Sequence, residues 1–204
     1  PDSLPVINEI LYKPKESTIA FVELKGKPGL DLACFELVGL NGGSDASKCE
    51  KYNSILLDGY FIDLDGYFVI AANPELECAD LVDPKADYQN GPDGIALIFH
   101  SEVGEIVVDT VIYKKNLPFC SEDYKEGDCA PDTDYDQSIG RCPDGSDTND
   151  NSVDFVILET PTPGEENACP PPPPECKDPQ PLIINEVLYT TSISGDKGSF
   201  IELK

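Results

Sequence analysis

The stretch "VINEILYKPKESTIAFVELK", Val6 to Lys25, returns near the other end of the chain as "LIINEVLYTTSISGDKGSFIELK", Leu182 to Lys204. Residues 7–12 and 184–189 differ only at Ile10 against Val187. Residues 21–25 and 200–204 differ only at Val22 against Ile201. The spacing between the two blocks changes by two residues, as a loop joining two strands allows. A period close to the whole chain length marks a domain-sized repeat, not a solenoid turn. The blocks therefore read as two β-strands, present once in a whole domain and once in a partial copy.

Composition narrows the classes. The chain has 204 residues, 39 acidic against 14 Lys and Arg, and a formal net charge of -25. Such an excess repels phosphate backbones, so no nucleic-acid partner is expected. No apolar run approaches the ~20 residues that span a bilayer, so no membrane insertion is expected either. The chain contains no Met and begins at Pro1, and we expect a mature or internal piece of a longer product. The eight cysteines are Cys34, Cys49, Cys78, Cys120, Cys129, Cys142, Cys169 and Cys176. None form a CxxC pair and His100 is the sole histidine, which argues against zinc. Disulfides in an oxidising compartment are the expectation, hence an extracellular, secreted or cell-surface protein. Cys120 and Cys129 flank a polar step that can turn back, so that pair is the expected local bridge.

Short runs rich in Val, Ile, Phe and Tyr recur between Gly, Pro, Asn and Asp, the pattern of an all-β sandwich or barrel. Strands are expected over residues 6–12, 19–25, 34–39, 55–57, 67–72, 95–99, 106–113 and 153–158. In the 106–113 run both faces look covered, which predicts a central strand. Asp65–Gly66 predicts a tight turn and "HSEVGE" a slightly longer hairpin. No stretch has a helical period of useful length. After Leu158 the texture becomes Pro-rich and acidic. A polyproline segment rises ~3.1 Å per residue, so Cys169 and Cys176 lie roughly 22 Å apart if extended, too far to pair. Cys169 is expected to staple the linker to the domain before it and Cys176 to the module after it. The domain plan is a sandwich over 1–168, a linker over 169–181 and a partial repeat over 182–204.

The blocks "VINEILY" and "FVELKG", followed by "GLDLACFELVG" and "SIGRCPDGSDTNDNSVDFVILETPTPGEEN", resemble the lamin tail domain family. The likeness runs from about Val6 to Asn167 and restarts at Ile183. The late block, with its Arg, Pro-Asp-Gly, Asp-rich turn and Thr-Pro-Gly exit, is its most specific part. The family fold implies an immunoglobulin-like antiparallel β-sandwich. Family members act as scaffolding or recognition modules, so the resemblance implies no catalysis by the module itself. The cysteines and the long 120–142 segment depart from the family pattern.

The polar cluster "PDTDYDQSIGRCPDGSDTNDNSVDF" carries Asp132, Asp134, Asp136, Asp144, Asp147, Asn149, Asp150, Asn151 and Asp154. Calcium takes six to eight oxygens from such loops. The candidate ligands are Asp144, Asp147, Asp150 and Asp154, with Asp132 or Asp134. The competing reading is a set of solvated Asx turns, since no EF-hand spacing is present. His100 reads as an exposed turn histidine; no nucleophile elbow or metalloprotease motif accompanies it, and no enzyme is expected. Glu9 and Glu23, with Glu186 and Glu202 as counterparts, sit inside apolar strands; they read as solvent-facing or edge-blunting charges. No Asn-x-Ser/Thr sequon occurs, while "ETPTPG" and "YTTSIS" can accept O-glycans.

A lone hairpin is marginal in water, so the partial repeat needs a partner. Its apolar positions Ile183, Ile184, Val187, Leu188, Phe200, Ile201 and Leu203 are the candidate interaction residues. They join either a continuation of the chain or the next molecule. The leading expectation is a structural module assembling head to tail, with copies of itself as partners. The alternative is an adhesion or targeting domain that binds glycan or protein.

Overall fold

A computed structural model describes residues 4–15, 19–171, 184–188 and 200–203. The chain divides into two compact units, Pro1–Cys169 and Pro170–Lys204. The first contains two β-sheets around one core. One sheet has the order β10-β9-β1-β2-β5-β6 and the other β4-β3-β7-β8. The strands are β1 Val6–Leu11, β2 Phe21–Lys25, β3 Phe35–Asn41, β4 Glu50–Leu56, β5 Tyr67–Ala71, β6 Leu81–Val82, β7 Asp93–Ser101, β8 Gly104–Tyr113, β9 Ser138–Arg141 and β10 Phe155–Leu158. All pairings in this unit are antiparallel except β5 with β6. The expected all-β sandwich is thus what the chain forms.

The core draws Ile7, Ile10, Val22, Leu24, Phe68 and Ile70 from the first sheet. Leu37, Ile95, Leu97, Val111 and Tyr113 face them from the second. Tyr12 and Tyr113 stack between the sheets with ring centroids 4.1 Å apart. The β1–β2 pairing shifts register between Ile7 and Glu9. Such a bulge breaks the period of two, which is why Ile7 and Ile10, three residues apart, both reach the core. Gly39 carries the Tyr52 ring on its Cα; a Cβ there would lie 2.5 Å from that ring.

Two strands escaped the sequence reading, β6 and β9, each of four residues or fewer. The 153–158 run begins as one helical turn, α1 (Asn151–Asp154), capped by the Asp150 side chain. The central position expected for 106–113 is corrected, because β8 is a sheet edge. Its outer face is covered instead by the segment after it in the chain. Ala130 bridges to Tyr113, and a second cluster of Val38, Leu40, Ala96, Ile98, Ile112, Leu117 and Cys120 lies beneath. The "HSEVGE" hairpin joins β7 and β8 as expected, with Ser101 opposite Gly104.

Two disulfides fix this unit. Cys49–Cys120 spans 71 residues, and Cys142–Cys169 spans 27. The expected Cys120–Cys129 bridge is therefore corrected: Cys120 reaches across to Cys49 at the head of β4, inside the second cluster. Cys34, Cys78 and Cys129 carry free thiols, and Cys176 lies outside the described residues. Cys169 does join the preceding domain.

In the second unit, β11 (Ile184–Leu188) pairs antiparallel with β12 (Phe200–Leu203). The register is Ile184↔Leu203, Glu186↔Glu202, Val187↔Ile201 and Leu188↔Phe200, shifted between Ile184 and Glu186. In β1 and β2 it is Ile7↔Leu24, Glu9↔Glu23, Ile10↔Val22 and Leu11↔Phe21, shifted between Ile7 and Glu9. Ile183, among the candidate interaction residues, lies outside the described residues.

Candidate functional site

Two polar networks meet along β1. The first surrounds Arg141, the last residue of β9, which is wholly buried. Its Nε donates to the Ile7 carbonyl at 2.9 Å. Nη1 donates to the Ser146 carbonyl at 2.9 Å, to Asp154 at 3.0 Å and to Asp147 at 3.3 Å. Nη2 donates to Asp109 at 2.8 Å. The other Asp109 oxygen accepts from the Ile7 amide at 2.5 Å. Asp109 belongs to β8, so this one guanidinium ties the second sheet to β1 and β9. A buried Arg is tolerated only with such a complete set of acceptors. The ring of Phe155 lies 4.7 Å beneath it.

Glu126 approaches the same group from the loop over β8, accepting from the Thr110 amide at 2.9 Å. Burial, and then the charge of Asp109, push its carboxyl up to about 8. Carboxylate oxygens of Asp109, Glu126 and Asp147 lie within 4.8 Å of one another. Arg141 already bonds two of these three carboxylates.

The second network lies on the outer face of β1 and β2. Glu9 and Glu23 stand opposite each other and both are fully buried. Their expected solvent exposure is corrected: the 159–169 segment and the loop carrying Leu76 fold over this face. Glu9 accepts from the Ser138 hydroxyl and from the amide and hydroxyl of Thr162. Glu23 accepts from the Asn8 carboxamide at 2.8 Å and the Gly164 amide at 2.6 Å. Gly164 has φ +80°, a conformation that favours glycine. Asn8 accepts from the Gly145 amide at 2.8 Å and donates to Asp144 at 3.0 Å. Asn167 donates its carboxamide to the Asn8 and Arg141 carbonyls, which links the two networks. Burial pushes the Glu23 carboxyl up to about 8 and also raises that of Glu9. Asp144 goes the other way. Burial opposes its charge, but Lys25 at 2.6 Å, Asn8 and the Asn167 amide hold its carboxyl below the usual range.

The four calcium candidates are placed apart in role. Asp144 joins Lys25 and Asn8. Asp147 and Asp154 share Arg141, and Asp154 also accepts from the Thr148 amide and hydroxyl. Asp150 caps α1 and binds the Ser152 hydroxyl. Asp132 pairs with Lys13, the Asp134 amide donates to Gln137, and Asp136 accepts from the Lys15 amide. Among the described residues, the one group of three acidic ligand atoms within 4.8 Å therefore unites Asp147 with Asp109 and Glu126, not with the other candidates. His100 lies in β7 rather than in the turn, half-exposed, with Nε2 2.7 Å from Glu36.

Asp109, Glu126, Arg141, Ser138, Thr162 and Asn167 were not among the candidates. Asp109 gave a signal, as the one charged residue among Val107, Val108, Thr110 and Val111. Chemically, both networks match buried acceptors with donors, many of them supplied by the 138–167 segment, so they hold strands together and fix where the chain leaves the domain. Among the described residues no helix is long and apolar enough to cross a membrane. The chain matches no family model, no characterised protein and no solved structure.

Proposed function

We propose that this protein is an extracellular structural module, an immunoglobulin-like sandwich of the lamin-tail type, that assembles head to tail through repeated β-hairpins. The observation that carries the reading is the second hairpin. β11–β12 has the register of β1–β2, with the shift at the same place and Glu opposite Glu in both. A sequence echo alone needs no shared pairing; a shared bulge supports the same kind of seat for the two hairpins. The two disulfides support an oxidising compartment. The buried networks support a scaffold rather than a catalyst, since their carboxyl groups already have protein donors.

Under this reading, a hairpin related to the first by a non-closing step links modules into a filament. The test is to delete residues 182–204 and image both proteins by electron microscopy. The full chain is expected to form linear assemblies and the truncated chain to remain single particles. Identical filaments from both, or a full chain that stays monomeric at every concentration, would refute the reading.

A further inference from the structure

The hairpin β1–β2 is not held by apolar contacts alone. It sits between β9 and β5, with Glu9 opposite Gly140 and Val22 opposite Ile70. Into that seat it carries three buried polar side chains, Asn8, Glu9 and Glu23. Their partners are the Ser138 hydroxyl, the Thr162 amide and hydroxyl, and the amides of Gly145 and Gly164. All these donors come from one stretch of this chain, residues 138–167. An apolar seat of the right shape would leave the two carboxyl groups buried without hydrogen-bond partners, which is unfavourable.

The second hairpin has Asn185, Glu186 and Glu202 at the same register positions as Asn8, Glu9 and Glu23. We infer that these three residues are a self-recognition code, by which β11–β12 docks between β9 and β5 of a second copy of this chain. The inference rests on the head-to-tail reading and adds the partner and the residues that select it. The apolar positions supply adhesion to any sandwich; the Asn-Glu and Glu positions admit only a body that presents the 138–167 donors. Both attraction to the matching body and rejection of others arise from one set of groups. Each body already holds its own β1–β2, so docking is an exchange of equivalent hairpins. The incoming hairpin remakes the hydrogen bonds that the outgoing one breaks, and the balance is set by concentration and by any weakening of β1–β2.

The experiment uses the full chain and biases that exchange. Val22 is fully buried, so Val22→Asp disables β2 without touching β11–β12. With rising concentration, V22D is expected to recover β circular dichroism and to elute as a series of oligomers in light-scattering chromatography. Adding Glu186→Ala and Glu202→Ala is expected to abolish both. The same pair of changes in the otherwise unaltered chain should leave the melting temperature of the first unit where it was, which excludes a general folding defect. If the triple variant assembles as well as V22D, the code is wrong while head-to-tail assembly stands. If V22D stays a monomer at every concentration, folded on its own second hairpin or unfolded, docking on a second copy is overturned. The deletion of 182–204 then decides the broader reading separately.

Discussion

Replacing Arg141 with Met should be strongly destabilising to the first unit. Met fills a similar volume but removes every donor. Asp109, fully buried, would keep only the Ile7 amide, and Asp154, 2% exposed, only the Thr148 amide and hydroxyl. Removing one partner of a buried ion pair costs about 3–5 kcal/mol, because a carboxylate stays buried without its counter-charge. Against a total stability of about 5–15 kcal/mol, that is a large share. For a domain of this size it corresponds to a drop in melting temperature of roughly 6–20 °C. Arg141→Lys keeps the charge but not the fork. A single ammonium cannot serve Asp109, Asp154 and two carbonyls together, so a loss of about 1.5–3 kcal/mol is expected, the size of one hydrogen bond to a charged group. The chain has no Trp and nine Tyr, so urea unfolding followed by tyrosine fluorescence and far-ultraviolet circular dichroism is the assay. Adding Asp109→Asn to Arg141→Met should recover part of the loss, since the orphaned charge is then gone. A Met variant within about 1 kcal/mol of the parent, or no recovery in the double variant, would refute the reasoning.

Glu23 has its folded carboxyl raised to about 8 from an ordinary 4.5; the folded state holds its proton more tightly than the unfolded one. Stability from this group is therefore complete below about pH 4.5 and declines as pH rises toward 8. Glu23→Gln should flatten the fall in urea midpoint between pH 5 and 8, and an unchanged slope would count against it. Loss of the Cys49–Cys120 bridge, by changing both to Ser, should cost about 4 kcal/mol on the chain-entropy account for a loop of 71 residues; disulfide mapping that finds Cys120 joined to Cys129 would overturn the pairing. Chelator should leave the melting temperature unchanged, because Asp144, Asp147, Asp150 and Asp154 already have protein partners; a clear rise on adding calcium would show that an ion binds there.

The strands that alternation and β-branched runs mark, β1, β2, β5, β7 and β8, were legible because each depends on its own residues. β9 was not. "SIGR" is four residues with a glycine and a charge, and only its neighbours β1 and β10 make it a strand. β8 looked central because both its faces are apolar, yet apolar faces report cover and not hydrogen-bonded neighbours. Here the cover is the 114–130 segment and its Cys120 anchor, and a sequence period cannot tell a loop from a sheet.

The buried carboxylates expose the same limit more sharply. A Glu between apolar residues of a strand reads as solvent-facing, and the alternation of β1 does place Glu9 on the outer side of its sheet. What the sequence does not mark is that Thr162 and Gly164, 153 and 141 positions away from Glu9 and Glu23, fold back over that side with their amides aimed at it. Without those donors Glu9 and Glu23 would have to face water; with them, they become the clasp that fixes the departing chain. The clue that was present is internal. Two hairpins of one chain agree at Asn, Glu and Glu and at most apolar positions, and the two exchanges, Ile10 for Val187 and Val22 for Ile201, are both aliphatic. Aliphatic positions tolerate exchange because burial is nondirectional. A hydrogen-bonded carboxylate does not, because its partners are fixed in direction and number.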